Sequence, residues 1–174
     1  MSRPIQVAIL TSSDRASAGI YEDRSGPALQ TLVQETLYAE IVAMQILPDD
    51  REKLSDQLRQ WADSGTLDLI LITGGTEFAP TDVTPEATRD VIDKETPGLA
   101  EAMRAASLRT TPHAMLSRAI CGIRGKTLII DLPGSPKGAK ENFSAILPAV
   151  PHAIAMLRGE PESEAPHLHK PLIL

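Results

Sequence analysis

Two aspartates and a pair of glycines are the residues of this chain whose types and spacing best suit chemistry on phosphate groups. The stretch TGGTEFAPTDVTPE (73–86) directly follows the apolar run LDLILI (67–72). Adjacent glycines after a strand either form a tight turn with positive φ or let backbone N–H groups approach phosphate oxygens. For Gly74 and Gly75 both interpretations stay open, because neither Gly-Lys-Ser/Thr nor G-x-G-x-x-G accompanies them.

Asp82 is the first candidate ligand for a cation. Thr84 is a good N-cap and Pro85 suits the first helical position, so the next helix does not require Asp82 as its cap. A carboxylate left outside the cap, beside a glycine turn, is free to hold a metal ion. The alternative is a solvated turn residue, which is the commoner role for a loop aspartate.

Asp49 is the second candidate, and its alternative is stronger. Asp49-x-x-Glu52 resembles a capping box, so the residues alone favour N-capping over metal binding. Residues 12–14 (Ser-Ser-Asp) likewise fit a turn or helix entry. Arg15 and Lys137 each follow a polar turn and would either meet phosphates or be solvated.

Hydrophobic patterning predicts the elements that position these residues. Apolar runs that are continuous rather than alternating, typical of parallel strands covered on both faces, occupy residues 6–10, 40–47, 68–73 and 126–132. A period near 3.6 predicts helices over residues 29–37, 54–62 and 143–157. Pro148 and Pro151 are expected to break or kink the last of them. Alternation of this kind predicts an α/β sheet with helices on both faces.

The four predicted strands share one feature, which is a polar or glycine-rich segment at the carboxyl end. These segments are TSSDR (11–15), PDD (48–50), TGGT (73–76) and PGSPKG (133–138). Ligands of open parallel sheets bind in the crevice beyond the carboxyl ends of the strands. The sequence therefore predicts a ligand cleft at this edge of the sheet.

Composition excludes several classes of function. The net charge of −6 argues against bulk nucleic-acid binding, and an aromatic content of 3% argues against base-stacking platforms. No run approaches the roughly 18 consecutive apolar residues of a membrane span. No signal peptide precedes the first predicted strand and Cys121 is the only cysteine, so we expect a cytoplasmic protein in which Cys121 packs. The four histidines show no spacing typical of a zinc site.

Several longer motifs carry a resemblance to a known family. In chain order they are SDRASAG (13–19), ILPDD (46–50), TGGT (73–76), DVTPEAT (82–88), PGLAEAMRAASL (97–108), AMLSRAICGIRG (114–125) and LPGSP (132–136). Together they resemble the MogA/MoaB-type molybdopterin adenylyltransferases, the family that includes the G domain of gephyrin. The resemblance runs from about residue 7 to residue 157. It identifies residues 1–159 as a molybdopterin-binding and adenylyltransferase domain, followed by a tail, residues 160–174.

The resemblance implies a fold and an activity. The fold is a three-layer α/β/α sandwich around a mostly parallel sheet, as in other molybdenum-cofactor-biosynthesis proteins, and the assembly is a homotrimer. The activity is Mg²⁺-dependent transfer of an adenylyl group from ATP to molybdopterin, which releases pyrophosphate. A partner protein would then use adenylyl-molybdopterin for molybdate insertion. No nucleic-acid or membrane partner is implied.

The resemblance also assigns roles to residues. Asp49 and Asp82 match the two essential aspartates and would hold Mg²⁺. The residues expected to bind substrate are Ser13, Asp14, Thr73, Gly74, Gly75, Thr76, Ser107, Ser117, Asp131, Pro133, Gly134 and Ser135.

Three positions depart from the family pattern. Glu77 replaces a glycine, Thr81 replaces an arginine, and Asp131 replaces an asparagine that contacts the pterin. The first two make the site more negative, so weaker ATP binding is expected unless Glu77 faces solvent, joins the metal shell or pairs with Arg15. A molybdopterin-binding or scaffolding homologue without adenylyl transfer is therefore the alternative function. A nucleotide-dependent α/β enzyme that shares only the polar edge is a third interpretation.

Overall fold

Residues 3–160 are described by a computed structural model and form a six-stranded sheet with the order β2-β1-β3-β6-β5-β4. The strands are β1 Ile5–Ser12, β2 Ala39–Leu47, β3 Leu69–Thr73, β4 Lys94–Glu95, β5 Cys121–Arg124 and β6 Thr127–Leu132. β2, β1, β3 and β6 run parallel, whereas β5 is antiparallel to both of its neighbours, β4 and β6. Apart from Glu160, the predicted tail 160–174 lies outside the described residues.

Helices cover both faces of this sheet and complete a three-layer α/β/α sandwich. They are α1 Asp14–Ser17, α2 Ser25–Thr36, α3 Arg51–Asp63, α4 Thr84–Arg89, α5 Pro97–Leu108, α6 Pro136–Ile146 and α7 Val150–Arg158. Leu69 and Leu71 of β3 belong to the core cluster beneath α2, α5, α6 and α7, while Ile70 and Ile72 belong to the cluster beneath α3 and α4. All five residues of β3 are buried, which explains why its sequence is apolar without alternation.

The predicted fold class is confirmed, and the predicted strands correspond to β1, β2, β3 and β6. The break predicted at Pro148 is also present, because a 3₁₀ turn, Leu147–Ala149, separates α6 from α7. The antiparallel pair β4 and β5 was not predicted. These strands have two and four residues, too few for a clear period. Cys121 is fully buried in the larger core cluster, as expected for a packing residue, and burial raises the pKa of its thiol.

No helix within residues 3–160 is long and apolar enough to cross a membrane.

An ion-pair network fixes the end of the sheet opposite the polar edge. Asp68 has an exposed fraction of only 3% and receives hydrogen bonds from Arg3 (2.9 Å), Arg158 (2.8 Å) and the backbone N–H of Gln6 (2.8 Å). Burial raises the pKa of Asp68, but these hydrogen bonds lower it by more than burial raises it. The pKa therefore lies below its usual value. The network joins the first residues of the sheet to α7.

We expect Asp68→Asn to lower the free energy of unfolding by about 3 kcal/mol at neutral pH, because two guanidinium groups lose their shared carboxylate. A carboxylate with a lowered pKa stabilises the fold above its unfolded pKa, about 3.9, and that stabilisation is lost as the pH falls through the folded pKa. The difference between wild type and variant should therefore shrink below about pH 4. Urea titrations at several pH values measure it, with the exposed Asp56→Asn as the control. Equal effects of the two substitutions would contradict the network's role.

Candidate active site

Two clefts open at the carboxyl end of the parallel strands. The glycine cleft is lined by the turns after β1, β2 and β3, including Ser12, Ser13, Asp49, Gly74 and Gly75. The serine cleft lies beside it and is lined by Ser107, Ser117, Pro133, Ser135, Asn142 and their neighbours. The two clefts lie at the edge of the sheet where the sequence predicts a site.

The Gly74–Gly75 turn is closely packed against its neighbours. Both residues have positive φ, 100° and 64°, which glycine adopts without strain. A Cβ on Gly74 would run into the Ser12 carbonyl oxygen, and one on Gly75 would lie 2.6 Å from Thr84 Oγ1. The turn conformation and this close packing together account for both glycines. The Gly74 N–H donates to the Leu132 carbonyl (3.1 Å) and is thereby occupied, so phosphate binding at this turn stays a proposal.

Asp49 lies against this turn and does not cap a helix. Its neighbour Asp50 is the N-cap of α3 and accepts from the N–H groups of Glu52 and Lys53, both at 3.1 Å. The capping box predicted for Asp49 is therefore wrong by one residue. The Asp49 carboxylate instead accepts from the Ser12 hydroxyl at 2.6 Å and from a backbone N–H.

Asp14 completes the support of Asp49 through a reciprocal pair of hydrogen bonds. The Asp14 N–H donates to the Asp49 carboxylate (3.1 Å), and the Asp49 N–H donates to the Asp14 carboxylate (3.0 Å). Ser13 caps the short helix α1, as the turn interpretation of residues 12–14 expected, and also lines the glycine cleft. Two successive turns of the polar edge are thus locked together at Asp49.

Asp82 belongs to a loop that is anchored to the same glycine turn through Thr84. Two residues beyond Asp82, the Thr84 hydroxyl donates to the Gly74 carbonyl (2.7 Å) and the Thr84 N–H donates to the Gly75 carbonyl (3.1 Å). Thr84 is therefore not the N-cap of α4. It is the first helical residue after Val83, and its hydroxyl anchors the glycine turn instead of capping the helix. The Asp82 carboxylate is partly exposed and accepts from the Glu77 N–H at 2.7 Å.

The serine cleft contains the other predicted hydroxyl groups. Ser107 and Ser117 lie at the ends of α5 and of the 3₁₀ helix Pro112–Leu116, and Ser135 caps α6. Asn142, with an exposed fraction of 7%, donates to the Ser107 hydroxyl oxygen at 2.9 Å and to the Gly138 carbonyl. Because Ser107 accepts this bond, its own proton is available to a bound molecule.

Asp131 does not reach either cleft, and its predicted contact with substrate is wrong. It is completely buried, accepting from the Thr88 hydroxyl at 2.7 Å and from the Ile120 N–H at 3.3 Å. Burial raises the pKa of Asp131 to about 7, although both hydrogen bonds oppose the shift. The Asp131 side chain therefore fastens α4 to the segment before β5.

The predicted site residues divide into three groups. Those lining the glycine cleft are Ser13, Asp49, Thr73, Gly74, Gly75 and Gly134. Those lining the serine cleft are Ser107, Ser117, Pro133 and Ser135. Those lining neither cleft are Asp14, Thr76, Asp82 and Asp131. Asp14 supports Asp49, and the Thr76 carbonyl accepts a hydrogen bond from the Arg118 N–H. Asp14 and Thr76 therefore support residues of the cleft walls without lining a cleft themselves.

Sequence reasoning missed several residues of the cleft walls. Arg104, His113 and Asn142 line the serine cleft, and Asp23 and Arg24 line the glycine cleft. Asn142 and Arg104 face the cleft from helices, where a polar residue at one helical position gives little signal. Asp23 had a recognisable signal, because the sequence Asp23-x-Ser25 is an Asx-type turn whose carboxylate accepts from the Ser25 N–H (3.1 Å).

The structure also defines the surroundings of Glu77 and Arg15, the two charged residues that bear on the charge of the site. Glu77 is exposed on the wall of the serine cleft and makes no ion pair within the described residues. Arg15 does not pair with it but lies over the Tyr21 ring, 5.2 Å from the centroid. Glu77 thus faces solvent, one of the conditions under which its charge is tolerated.

A three-layer sandwich with a divided cleft beyond its parallel strands defines a class of nucleotide- and cofactor-binding α/β proteins. Residues 8–152 match the family described as "Probable molybdopterin binding domain", and the chain belongs to that family.

Individual relatives support this placement. The chain is 45% identical to the molybdopterin adenylyltransferase of Helicobacter pylori, with 89% of each chain covered. It is 43% identical to gephyrin of Dictyostelium discoideum, where 94% of the chain spans only about 24% of gephyrin's length. Among solved structures, the molybdopterin biosynthesis enzyme MoaB of Thermus thermophilus superimposes with a TM-score of 0.85 and is 47% identical. That comparison covers 91% of this chain and 99% of the other.

We expect Asp131→Asn to remove a pH-dependent loss of stability. Because the folded pKa of about 7 lies above the unfolded value, Asp131 carries no cost below about pH 4 and destabilises the wild-type fold progressively as the pH rises towards 7. The upper bound on this loss is roughly 4 kcal/mol, and the asparagine variant lacks it. Urea titrations between pH 4 and 8 measure the effect, with Asp56→Asn as the control. A wild type and variant with parallel pH profiles would contradict it.

We expect Gly75→Ala to destabilise the protein more than Gly65→Ala. Both residues have positive φ, 64° and 70°, so both variants bear a backbone cost of about 1–2 kcal/mol. Only at Gly75 would the new methyl group also meet Thr84 Oγ1 and, at 3.3 Å, Asp49 Oδ1, because nothing lies within 4 Å of it at Gly65. Free energies of unfolding measure the difference. Equal losses would show that the turn tolerates a side chain.

Proposed function

We propose that this protein transfers the adenylyl group of ATP to the terminal phosphate of molybdopterin. The observation that carries the proposal is that the Asp49 carboxylate lies beside Gly75, while the loop bearing Asp82 is anchored to the same Gly74–Gly75 turn through Thr84. Family membership and the 45% identity to a molybdopterin adenylyltransferase support it.

The two clefts suit two different substrates. The glycine cleft is bounded by turns and small residues, so extended phosphate groups would fit beside Gly75 and Asp49. The serine cleft offers hydroxyl groups, the Asn142 amide and the Arg104 guanidinium, which suit the polar edges of a pterin and a phosphate. Gly134 approaches Gly74 so closely that a Cβ there would lie 3.2 Å from the Gly74 Cα. Reacting groups from the two clefts would meet near this point.

The carboxylates of Asp49 and Asp82 are of the donor type that Mg²⁺ takes. No group of three or more His, Cys, Asp or Glu side chains that would hold a metal by itself occurs within residues 3–160. Mg²⁺ usually takes one or two carboxylates and completes its shell with phosphate oxygens and water, so Asp49 and Asp82 would suffice beside ATP. When bound, the ion would neutralise charge on the phosphates.

The reaction requires positioning more than covalent participation by the protein. An oxygen of the molybdopterin phosphate forms a bond to the α-phosphorus of ATP while the bond to the β-phosphate oxygen breaks. The electron pair leaves with pyrophosphate. Asp49, held by Ser12 and Asp14, is a rigid carboxylate on one side of the turn, and Asp82 orients the attacking group from the other side.

Glu77 is the residue that bears on the alternative function, a molybdopterin-binding homologue without adenylyl transfer. Its exposed carboxylate lies on the wall of the serine cleft, beside the proposed path of two anionic substrates. An unscreened pair of like charges at 4 Å costs about 1 kcal/mol in water, which weakens substrate binding several-fold rather than abolishing it. We therefore retain the enzymatic function as the first proposal.

Incubation of the purified protein with molybdopterin, ATP and Mg²⁺ tests both functions. Appearance of adenylyl-molybdopterin together with pyrophosphate supports the transferase, whereas binding of molybdopterin without either product supports the alternative. We expect Asp82→Ala and Asp49→Ala each to lower kcat at least about hundredfold, because a misplaced reactive group costs that much. Asp56→Ala, which alters an exposed carboxylate, is the control. Undiminished product from either variant would remove that residue from the mechanism.

The assembly stays a proposal as well. The edge strand β2 has one neighbour in the sheet and exposes Val42, Met44 and Ile46, each more than a third accessible. An apolar stripe of this kind supports association between subunits. We propose that the protein assembles as a homotrimer. We also propose that a molybdate-insertion protein receives its product.

A further inference from the structure

Arg118 makes an unusual number of contacts with the segment that contains Asp82. Its backbone N–H donates to the Thr76 carbonyl at 2.8 Å, and its Nε donates to the Glu77 carbonyl at 2.6 Å. Its Nη2 donates to the Asp82 carbonyl at 2.7 Å, and the guanidinium also forms a two-point ion pair with Glu86. One residue thus holds both ends of the loop 77–82 and the first turn of α4.

Few other contacts hold this loop. Residues 77–81 are all exposed, and Phe78 has an exposed fraction of 66%. Inside the loop, the Glu77 N–H donates to the Asp82 carboxylate and the Asp82 N–H donates to the Ala79 carbonyl. These bonds close the loop on itself but do not fix it to the sheet. Its fixed points are Thr84 at the glycine turn and the guanidinium of Arg118.

The geometry depends on the planar fork of arginine. Three nitrogens of the guanidinium donate at once to two carbonyl oxygens and a carboxylate, at angles that a single ammonium group does not reproduce. The side chains of Arg118 and Glu86 are only 32% and 31% exposed, so the pair is partly shielded from water. The hydrogen bond from Arg118 is the main cause that lowers the pKa of Glu86, so the pair is ionised at neutral pH.

We infer that Arg118 is the positioning residue for Asp82 in the proposed adenylyl transfer. It acts through the backbone of the loop and touches no reacting atom. Arg118 also directly follows Ser117, a wall residue of the serine cleft. The same short segment therefore sets the serine cleft and the Asp82 loop at a fixed distance from each other.

The test compares Arg118→Lys with Arg124→Lys, which is a closely matched control. Arg124 likewise donates to two carboxylate oxygens, those of Asp63, and to one carbonyl, that of Val91, and its side chain is 25% exposed. It lies away from both clefts. For Arg118→Lys we expect kcat to fall by about ten- to hundredfold with the KM for ATP within about threefold, because Asp82 is displaced while ATP binding persists. For Arg124→Lys we expect kcat to stay within about twofold of wild type.

Hydrogen exchange provides a readout that does not depend on activity. The peptide covering residues 76–83 should exchange faster in Arg118→Lys and unchanged in Arg124→Lys, at similar free energies of unfolding. Glu86→Gln keeps both carbonyl contacts of Arg118 and should lower kcat by less than about threefold.

Three outcomes would overturn the inference: unchanged exchange in Arg118→Lys, equal kcat losses in the two lysine variants, or a kcat loss in Glu86→Gln as large as in Arg118→Lys. The inference rests on the proposed function, and the two fail separately. A wild-type protein that makes no adenylyl-molybdopterin refutes the proposed function, and the exchange experiment alone then decides whether Arg118 holds the loop.

Discussion

The structure depends on how closely three strand ends approach one another at Gly74. The carbonyl of Ser12, the last residue of β1, occupies the space that a Cβ on Gly74 would need. The Leu132 carbonyl at the end of β6 accepts a hydrogen bond from the Gly74 N–H, and Gly134 packs on the Gly74 Cα. Because no side chain fits there, the turns after β1, β3 and β6 meet as backbone against backbone. Polar side chains from each turn are thereby brought to one small area without any flexible connection.

The two aspartates proposed for catalysis are held in different ways, and the difference has a physical basis. Asp49 is fixed directly, because its carboxylate accepts from Ser12 and from the Asp14 N–H. Asp82 is fixed indirectly, through backbone contacts of its loop with Arg118 and of Thr84 with the glycine turn. Asp49 therefore depends on side-chain contacts in the adjacent turn, whereas the position of Asp82 depends on contacts made by the backbone of its loop.

The sequence was informative where one residue type has one physical reason to be present. Apolar runs identified the four parallel strands, although β2 alternates between half-buried and exposed positions and is not covered on both faces. The polar turns after these strands predicted the edge at which the two clefts open. The sequence was misleading where two neighbouring residues of the same type could have the same role. Either Asp49 or Asp50 could cap α3 as far as the sequence shows, and in the structure the N-cap is Asp50. The sequence also misled at Asp131, which resemblance assigned to the pterin but which the sheet buries against Thr88. No local pattern distinguishes a buried carboxyl group at a strand end from an exposed one.

The reversed direction of β5 explains how Ser117 and Arg118 reach an edge that otherwise collects only the carboxyl ends of strands. Cys121 pairs with Ile130 in antiparallel register, so residues before β5 arrive beside residues after β6. The connection 109–120 therefore reaches this edge on its way into a strand, whereas the turns after β1, β2, β3 and β6 reach it on leaving one. Changes in its length would reshape the wall of the serine cleft while leaving the hydrogen-bonded frame of the four parallel strands untouched, so the form of this cleft can diverge without a change of fold.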